Sequence, residues 1–272
     1  MQLGVNVPNF GPGTDPGVLR EWAQVVEGLG FGLLMMSDHV VVTPEVAERY
    51  PEPFYEPFTT LAWLAGVTSK VRLGTTVLIL PYREPLLVAR TAGTLNRLSG
   101  GRLVLGVGVG WSRQEFQALG VPYSARGRLT DEHLATLRKA WDEEADGGAG
   151  PIPLWIGGHS EAALRRTIRF GDAWHPLRAT LPAMRAVLAE HVLPGFAPRI
   201  ALRLTDAPID DPERLAGTGT VEQVLDDLDQ LRQLGAETVL LDPYHGDPED
   251  TRRPHAAWRA LATVADRWRT AP

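Results

Sequence analysis

Two histidines follow predicted strands and are the first candidates for proton chemistry. His39 comes directly after Ser37 and Asp38 at the end of an apolar run, and His175 ends the short run Asp172–His175. An imidazole titrates near neutral pH, and an adjacent carboxylate such as Asp38 can orient it, so the pair suits a general acid or base. The alternatives are a loop aspartate that caps the next segment beside an exposed histidine and, for His175, a buried or capping histidine.

Glycines follow or interrupt three further predicted strands. One segment, Gly106 to Trp111, reads GVGVGW, and another, Trp155 to Glu161, reads WIGGHSE. Glycines let backbone N–H groups approach a flat or anionic ligand, and a helix that starts near Ser160 offers unpaired N–H groups to a phosphate. A tight turn with Ser160 as an ordinary N-cap is the alternative. Gly74, inside a strongly β-prone strand, indicates either a bulge near a ligand or a small packing residue.

Several common sites are disfavoured. The spacing is GxGxG rather than GxGxxG, and no acidic residue follows at the end of a second strand, so a Rossmann dinucleotide site is poorly supported. Seven histidines without HxH or HExxH spacing, together with zero cysteines, predict no metal site. No GxSxG motif indicates a hydrolase. Neither Lys70 nor Lys139 lies at the end of a strand, as a Schiff-base barrel enzyme would need.

The composition is that of a globular protein. The 272 residues are 44% hydrophobic and 22% charged, and 27 basic against 33 acidic residues give a net charge of −6. We expect one domain spanning residues 1–272. The acidic balance and the lack of a Lys/Arg-rich block predict no nucleic-acid partner. The absence of cysteines, of a signal-peptide pattern and of an 18-residue apolar run predicts a cytoplasmic protein with no membrane partner.

Strands and helices alternate along the chain in a way that positions these residues. The predicted strands are Leu3–Pro8, Phe31–Ser37, Val71–Leu80, Arg102–Gly108, Ile152–Gly157, Asp172–His175, Arg199–Leu204 and Thr238–Asp242. The predicted helices are Pro16–Leu29, Phe58–Val67, Pro85–Leu98, Thr130–Trp141, Glu161–Phe170, Leu181–Val192, Val221–Leu234 and Pro254–Trp268. Eight βα units in roughly 250 residues are typical of an α/β (β/α)₈ TIM barrel, whose function lies at the carboxyl ends of the strands. An open doubly wound sheet is the chief alternative.

Local signals mark several ends and loops. Thr220 followed three residues later by Gln223 predicts a capping box, and Gly30 and Gly235 predict left-handed C-caps. Four acidic residues and three glycines predict a short loop over Asp142–Gly150. The segment Thr43 to Pro57, with its prolines and aromatics, is read either as a lid or as a solvated surface loop.

Taken together, the motifs resemble the luciferase-like flavin and deazaflavin oxidoreductase family. The matching stretches are GFGLLMMSDH, LGTTVLILPYREPLLVARTAGTLNRLSGGRLVLGVGVGW with its continuation RQEFQALG, RGRLTDEHLATLRKAW and PIPLWIGGHSEAALRRTIRFGDAWHP. They cover most of residues 3 to 176. The resemblance implies a TIM barrel, assembled as a homodimer, that holds coenzyme F420 or FMN at the carboxyl ends of the strands and acts on a small-molecule substrate.

The resemblance also implies roles for individual residues. Asp38 and His39 would lie beside the cofactor ring, with His39 handling protons and His175 assisting. The strand at Thr75, Thr76 and Val77 would form a bulge behind the ring, where the family often has a non-proline cis peptide. The remaining implied cofactor contacts are Gly108, Gly110, Trp111, Gly157, Gly158, His159 and Ser160. The implied substrate contacts are Asn9, Trp111 and His175.

Two departures from the family pattern narrow the function. The sugar-phosphate dehydrogenases of the family place a glutamate directly after the glycine run, where this chain has Trp111. The stretch between Trp141 and Pro151 is shorter than the family's usual connection. The segment Ser37-Asp38-His39 and the double glycine before His159 and Ser160 resemble the deazaflavin branch of the family, and the arginine-rich composition suits the actinobacteria that make coenzyme F420. We expect an oxidoreductase that moves a hydride between coenzyme F420 and an organic substrate. The alternatives are an FMN-dependent monooxygenase that uses O₂ and a non-redox barrel that binds a phosphorylated ligand.

Overall fold

Eight parallel strands form a barrel in the computed structural model, which describes residues 1–143 and 151–270. The barrel strands are β1 Gln2–Asn6, β2 Leu33–Met36, β3 Arg72–Ile79, β4 Leu103–Gly108, β5 Leu154–Gly157, β6 Ala173–His175, β7 Arg199–Ala201 and β10 Thr238–Asp242. Between β7 and β10, the short strands β8 Arg203–Leu204 and β9 Thr218–Gly219 pair separately. Strand β1 pairs with both β2 and β10, so the first strand is not an edge.

The sheet closes between β6 and β7. Isolated parallel bridges join Trp174 to Phe196 and Leu177 to Arg199. The backbone N–H of Arg199 donates to the carbonyl of Pro176 at 2.8 Å. A sheet with pairing on both sides of every strand is a barrel and not an open doubly wound sheet, so the predicted TIM-barrel fold is confirmed.

Helices surround the barrel. Their bounds are α1 Pro16–Gly28, α2 Pro44–Ala47, α3 Pro57–Ala65, α4 Pro85–Leu98, α5 Arg113–Ala118, α6 Arg126–Glu143, α7 Glu161–Phe170, α8 Leu181–Glu190, α9 Val221–Gln233 and α10 Pro254–Thr270. All eight predicted helices are present, and the short helices α2 and α5 lie in the loops that follow β2 and β4. The prediction was wrong at the start of α6, which begins at Arg126 rather than Thr130.

Alternation along the strands divides the barrel into two environments, because successive side chains point to opposite faces. Outward-facing residues pack on the helices in one large apolar cluster. A second, smaller cluster fills the inside: Leu33, Met35, Val104, Trp155, Ala173, Ala197 and Leu240. Towards the carboxyl ends of the strands the buried residues become polar, as at Asn6, His175 and Asp242. The apolar layer closes the barrel below a polar floor.

Several local predictions are confirmed. Thr220 and Gln223 form the reciprocal hydrogen bonds of a capping box at the start of α9. Gly30 and Gly235 have φ values of 80° and 89°. These values lie in the left-handed region, which residues with a side chain rarely adopt, as expected of glycine C-caps. The predicted loop Asp142–Gly150 begins too early, because Asp142 still belongs to α6; residues 144–150 lie outside the described residues.

The segment Thr43 to Pro57 lies against the carboxyl end of the barrel. It contains α2 and a cis peptide bond between Glu52 and Pro53. The N–H of Tyr55 donates to the carbonyl of Asn9 at 2.8 Å, which ties the segment to the loop after β1. Over residues 1–143 and 151–270, no helix is both long and apolar enough to span a membrane.

Glu27 fixes the connection between α1 and β3. Its carboxylate accepts hydrogen bonds from the backbone N–H groups of Ser69, Lys70 and Val71 at 3.0 to 3.1 Å and from the Ser69 hydroxyl at 3.0 Å. Burial alone would raise the pKa of Glu27, but these hydrogen bonds outweigh it and lower the pKa from 4.5 to about 2. The ionised form is therefore the one that stabilises the fold.

Replacing Glu27 with glutamine should destabilise the protein by roughly 1 kcal/mol at neutral pH, because the amide presents N–H groups to backbone donors. The folded-state pKa is depressed, so this contribution is present above pH 4.5 and disappears as the pH falls towards 2. Urea unfolding at several pH values measures the difference between wild type and Glu27→Gln. Glu21→Gln, on the same helix, is the control. A difference that stays constant from pH 6 to pH 3 would contradict the assignment.

Candidate active site

A cavity of about 290 Å³ opens at the carboxyl ends of the strands. It is lined by Ser37, Asp38, His39, Tyr50, Thr76, Val77, Ile79, Gly108, Val109, Gly110, Trp111, Gly157, Gly158, His159, His175, Leu177 and Arg199. Most of the residues expected at a site from the sequence therefore meet in one place. Three do not line it: Asn9, Thr75 and Ser160.

The side chain of Asp38 accepts three hydrogen bonds. Its buried carboxylate accepts hydrogen bonds from both terminal nitrogens of Arg83, at 2.7 and 2.8 Å, and from the backbone N–H of Ile79 at 2.8 Å. A bidentate arginine pair of this kind fixes geometry as well as charge. Asp38 thus ties the end of β2 to the end of β3. The expectation that Asp38 orients His39 is wrong, because neighbouring side chains at a strand end point in different directions.

The carboxylate that contacts His39 is Glu115 on α5. Its side chain is fully buried, and Oε2 lies 2.7 Å from Nδ1 of His39. Oε1 accepts the backbone N–H groups of Val40 at 2.6 Å and Val41 at 3.1 Å, and the Tyr82 hydroxyl donates to Oε2 at 3.1 Å. Burial by itself raises the pKa of Glu115. The hydrogen bond from His39, the positive charge of a protonated His39 and the two backbone donors outweigh burial and lower the pKa overall. Glu115 is therefore ionised.

An ionised acceptor decides the tautomer of His39. A carboxylate only accepts, so Nδ1 of His39 carries the hydrogen of this contact, and in the neutral imidazole Nε2 is the nitrogen with the lone pair. Among the described residues, none forms a hydrogen bond with Nε2. The ring is held by aromatic contacts: it stacks on Tyr50 at 5.4 Å and meets the edges of Phe54 and Trp111 at 5.5 and 5.7 Å. Nε2 is the basic nitrogen that the site offers.

His175 differs from His39 in both position and chemistry. Its Nδ1 donates to the carbonyl of Ala197 at 2.5 Å. Nε2 is therefore an acceptor, and it accepts a hydrogen bond from the Thr76 hydroxyl at 2.8 Å. Burial lowers the pKa of His175 to about 4. With both nitrogens engaged and the ring neutral at pH 7, this geometry does not support the expected proton-handling role. His175 positions Thr76.

A buried ion pair completes this polar floor. Nε and one terminal nitrogen of Arg199 contact Oδ2 of Asp242 at 3.1 and 2.8 Å. The other terminal nitrogen donates to the carbonyl of Thr76 at 2.7 Å. Burial raises the pKa of Asp242, but the charges of Arg199 and Arg178 and hydrogen bonds lower the pKa overall. The pair of Arg199 and Asp242 thus anchors Thr76 in the floor of the cavity.

Strand β3 is irregular beside this floor. Its pairing with β4 shifts register between Thr75 and Leu78, and the Thr76–Val77 peptide bond is cis. The structure therefore contains the bulge and the cis bond that the family resemblance implied. Thr75 points away from the cavity, and its hydroxyl donates to the carbonyl of Gly106 at 2.7 Å.

Val77 explains two of the glycines. A Cβ atom at Gly108 would lie 2.6 Å from Cγ2 of Val77, and one at Gly157 would lie 2.9 Å from Cγ1. Both distances are shorter than side-chain carbons tolerate, so the two glycines make room for Val77 on the cavity wall. Any substitution of Gly157 would therefore displace Val77.

The turn before α7 forms the other end of the cavity. Gly158 has φ of 119°, a conformation that suits only glycine. Ser160 caps α7 by accepting the N–H of Ala163 at 3.3 Å, and its own hydroxyl hydrogen is free to donate. Nε2 of His159 lies 2.8 Å from the carbonyl of Leu177, to which it must donate. Among the described residues, the N–H groups of Glu161 and Ala162 at the start of α7 have no hydrogen-bond acceptor, which suits a phosphate.

Two further expected residues have clear positions. Asn9 is buried, and its amide donates to the carbonyls of Ser37 at 2.9 Å and Tyr55 at 2.6 Å, so it holds loops and does not line the cavity. Trp111 lines the cavity and is 39% exposed. Across the part of the chain that the structure describes, no cluster of three or more histidine or acidic side chains is arranged to hold a metal ion.

Glu115 and Arg199 are the important residues that sequence reasoning missed. Glu115 reads as an ordinary helical acid, and its only signal is its place beside the apolar Phe116 in the stretch RQEFQALG. Arg199 opens a predicted strand, and an arginine within an apolar strand of a barrel indicates a buried ion pair. No local pattern shows that either residue contacts His39 or Thr76, since these contacts join distant segments.

The fold and the cavity define a (β/α)₈-barrel protein with a candidate ligand site at the carboxyl ends of its strands. The chain belongs to the luciferase-like monooxygenase family, whose sequence model matches residues 1–197. That range contains every residue lining the cavity except Arg199. Members of this family are oxidoreductases, including monooxygenases.

Two curated relatives are mycobacterial proteins. An uncharacterised protein of Mycobacterium tuberculosis is 32% identical over 180 residues, which covers 56% of this chain and 62% of that protein. The phthiodiolone/phenolphthiodiolone dimycocerosates ketoreductase of the same organism is 31% identical over 57% of this chain and 46% of its own length. The chain therefore matches less than two thirds of the length of these relatives.

Solved structures share the fold. The coenzyme F420-dependent tetrahydromethanopterin reductase of Methanopyrus kandleri aligns with a TM-score of 0.72 and 15% identity over 97% of both chains. The oxygenating constituent of 3,6-diketocamphane monooxygenase from Pseudomonas putida, in complex with FMN, aligns equally well, with a TM-score of 0.72, 15% identity and 97% coverage of both chains. An F420-dependent secondary alcohol dehydrogenase aligns with a TM-score of 0.71 and 17% identity over 97% of this chain and 98% of its own.

Replacing Glu115 with glutamine should switch the tautomer of His39. If the amide oxygen accepts from Val40 and Val41, the NH₂ group faces His39, so Nδ1 must become the acceptor and Nε2 must carry the hydrogen. The ¹⁵N chemical shifts of the His39 ring report which nitrogen is protonated. Tyr82→Phe, which removes one donor and keeps the carboxylate, should leave the Nδ1–H form unchanged. An Nε2–H form in the wild type would contradict the assignment.

Proposed function

We propose that the protein transfers a hydride between coenzyme F420 and the carbon of an alcohol or carbonyl substrate. The observation that carries the proposal is the contact of His39 Nδ1 with the buried Glu115, which makes Nε2 the acceptor nitrogen of the neutral ring at the cavity wall. Oxidation of an alcohol removes a hydride from carbon and a proton from oxygen, so the site needs one base beside a hydride acceptor. The names of a ketoreductase relative and of an F420-dependent alcohol dehydrogenase neighbour support this class.

The residues at both ends of the cavity fit a phosphate-bearing planar cofactor. At one end, the capped start of α7 and the Ser160 hydroxyl offer donors to a phosphate, and Gly158 lets the backbone approach it. At the other end, Val77, Gly108 and Gly110 present an apolar wall with little side-chain bulk. When bound, the deazaflavin ring would supply the hydride acceptor or donor.

The chain's own residues then manage the proton. Nε2 of His39 accepts the proton of the substrate hydroxyl as the hydride leaves the carbon that bears this hydroxyl. In the reverse direction, the imidazolium returns the proton to the carbonyl oxygen. Glu115 acts as a positioning residue, because its carboxylate orients the ring and stabilises the imidazolium charge. His175, Thr76 and Arg199 fix the floor on which the ligands rest.

The second candidate is an FMN-dependent monooxygenase that uses O₂. The name of the family model and the FMN-bound neighbour favour it, because FMN also joins a three-ring system to a phosphate. The two candidates differ in what the protein consumes. Oxygen uptake with reduced FMN and a substrate would identify the monooxygenase, whereas F420 reduction by an alcohol would identify the hydride transfer. Neither activity would leave a barrel that binds a phosphorylated ligand without redox turnover.

Substituting His39 with glutamine should lower the rate of alcohol-dependent F420 reduction by about 10²- to 10⁴-fold, because the proton acceptor is lost. F420 affinity should change little, since glutamine retains a similar size. The rate is measured with whichever alcohol of a panel the wild type oxidises. His255→Gln, on α10, is the control and should keep full activity. A His39→Gln rate within threefold of the wild type would rule out His39 as the base.

Substituting Ala162 with aspartate should weaken F420 binding by at least tenfold without unfolding the protein. Ala162 is half-buried in the first turn of α7, where an aspartate suits the helix but repels a phosphate. Binding is measured by quenching of cofactor fluorescence, and thermal unfolding checks the fold. Ala183→Asp, in the first turn of α8, carries the same charge change away from the cavity and should bind normally. Equal affinities of the two variants would place the phosphate elsewhere.

A further inference from the structure

A second cavity opens at the opposite end of the barrel. It has a volume of about 350 Å³ and lies at the amino-terminal ends of β3, β5, β6, β7 and β10. Its walls include the apolar residues Trp155, Ala173, Phe196 and Ala197, and the charged residues Arg72, Arg138, Asp172 and Glu237 also line it. Residues at this end of a TIM barrel ordinarily serve stability and not catalysis, so a charged side chain here requires an explanation.

Arg72 faces the inside of the barrel. It occupies the first position of β3, and it shares the parity of Thr76, which contacts His175 and Arg199 in the interior. Its backbone N–H donates to the carbonyl of Gly32 at 3.0 Å. The guanidinium forms no hydrogen bond or salt bridge with any side chain or carbonyl in residues 1–143 and 151–270.

Two other arginines near the barrel interior have anionic partners. Arg199 pairs with the buried Asp242, and Arg138 at the rim of this cavity contacts Asp172 at 2.9 Å and the carbonyl of Phe170. Glu237, which also lines the cavity, is exposed and makes no ion pair with Arg72. Arg72 is therefore a cation that the described part of the chain leaves without an anion.

A half-buried charge without a partner destabilises a fold, because it loses hydration and gains no counter-charge. Burial accordingly lowers the pKa of Arg72. A guanidinium remains protonated in proteins, so the charge persists. A bound anion relieves this cost, since the planar fork of N–H groups matches the two oxygens of a carboxylate.

We propose that this cavity binds a small monocarboxylate with an apolar body, whose carboxylate pairs with Arg72 and whose body packs on Trp155 and Phe196. The volume holds a molecule of several carbon atoms, since one water occupies about 30 Å³ of liquid. Inorganic phosphate satisfies the guanidinium but leaves the aromatic walls uncovered, so it binds more weakly. The ring of Trp155 also lies 5.3 Å from that of His175, which places the ligand one side chain below the floor of the candidate active site.

The test uses benzoate as the probe, with benzyl alcohol and inorganic phosphate as comparisons, and titrates the cofactor-free protein by calorimetry. The wild type should bind benzoate at one site, at least tenfold more tightly than either comparison compound. Arg72→Met should weaken benzoate binding at least tenfold, and Arg72→Lys, which retains the charge, should bind with intermediate affinity. The control is Arg203→Met, which removes an exposed arginine without a partner among the described residues and should bind like the wild type.

A second readout guards against misfolded variants. In anion-poor buffer, Arg72→Met should unfold at the same temperature as the wild type or higher, because the unpaired charge is gone, and benzoate should raise the unfolding temperature of the wild type only. The proposal is overturned if benzoate does not bind the wild type, if benzyl alcohol binds as well as benzoate, or if Arg72→Met binds benzoate normally. A lower unfolding temperature of Arg72→Met in anion-poor buffer also overturns it, since Arg72 would then be a structural residue.

Discussion

The candidate active site depends on one buried carboxylate. Glu115 accepts hydrogen bonds from His39, Val40, Val41 and Tyr82, and so joins the loop after β2 to the turn after β3 and to helix α5. Because all four groups are donors, the carboxylate stays ionised and leaves His39 only one tautomer. A single local charge thereby determines where the site offers a base.

The barrel treats its other charges in the same way, by pairing them. Asp38 forms an ion pair with Arg83, and Asp242 forms one with Arg199. These pairs hold the side chains at the polar end of the barrel interior in place without a ligand. This preorganisation is what hydride transfer requires, since the reacting groups must be held in place and water kept out. At the other end of the barrel, the inward-facing Arg72 has no anionic partner among residues 1–143 and 151–270.

The fold was largely predictable from the sequence, and the site only in part. Alternating apolar runs and the Thr220–Gln223 cap predict the barrel units, because both are local properties of the chain. The positions of the strand ends also predicted which loops meet. Contacts between distant segments were not predictable: Asp38 was expected to orient His39, yet a residue 76 positions away does so. The spacing of Gly108 and Gly157 suggested a close cofactor, whereas their immediate neighbour is Val77.

We propose that the cavity holds a deazaflavin beside Nε2 of His39. Parallel equilibrium titrations of the purified wild type with coenzyme F420 and with FMN test it most directly, with quenching of cofactor fluorescence as the signal. The account predicts saturable binding of one F420 per chain, at least tenfold tighter than FMN. Tighter binding of FMN, or no binding of F420, would contradict it.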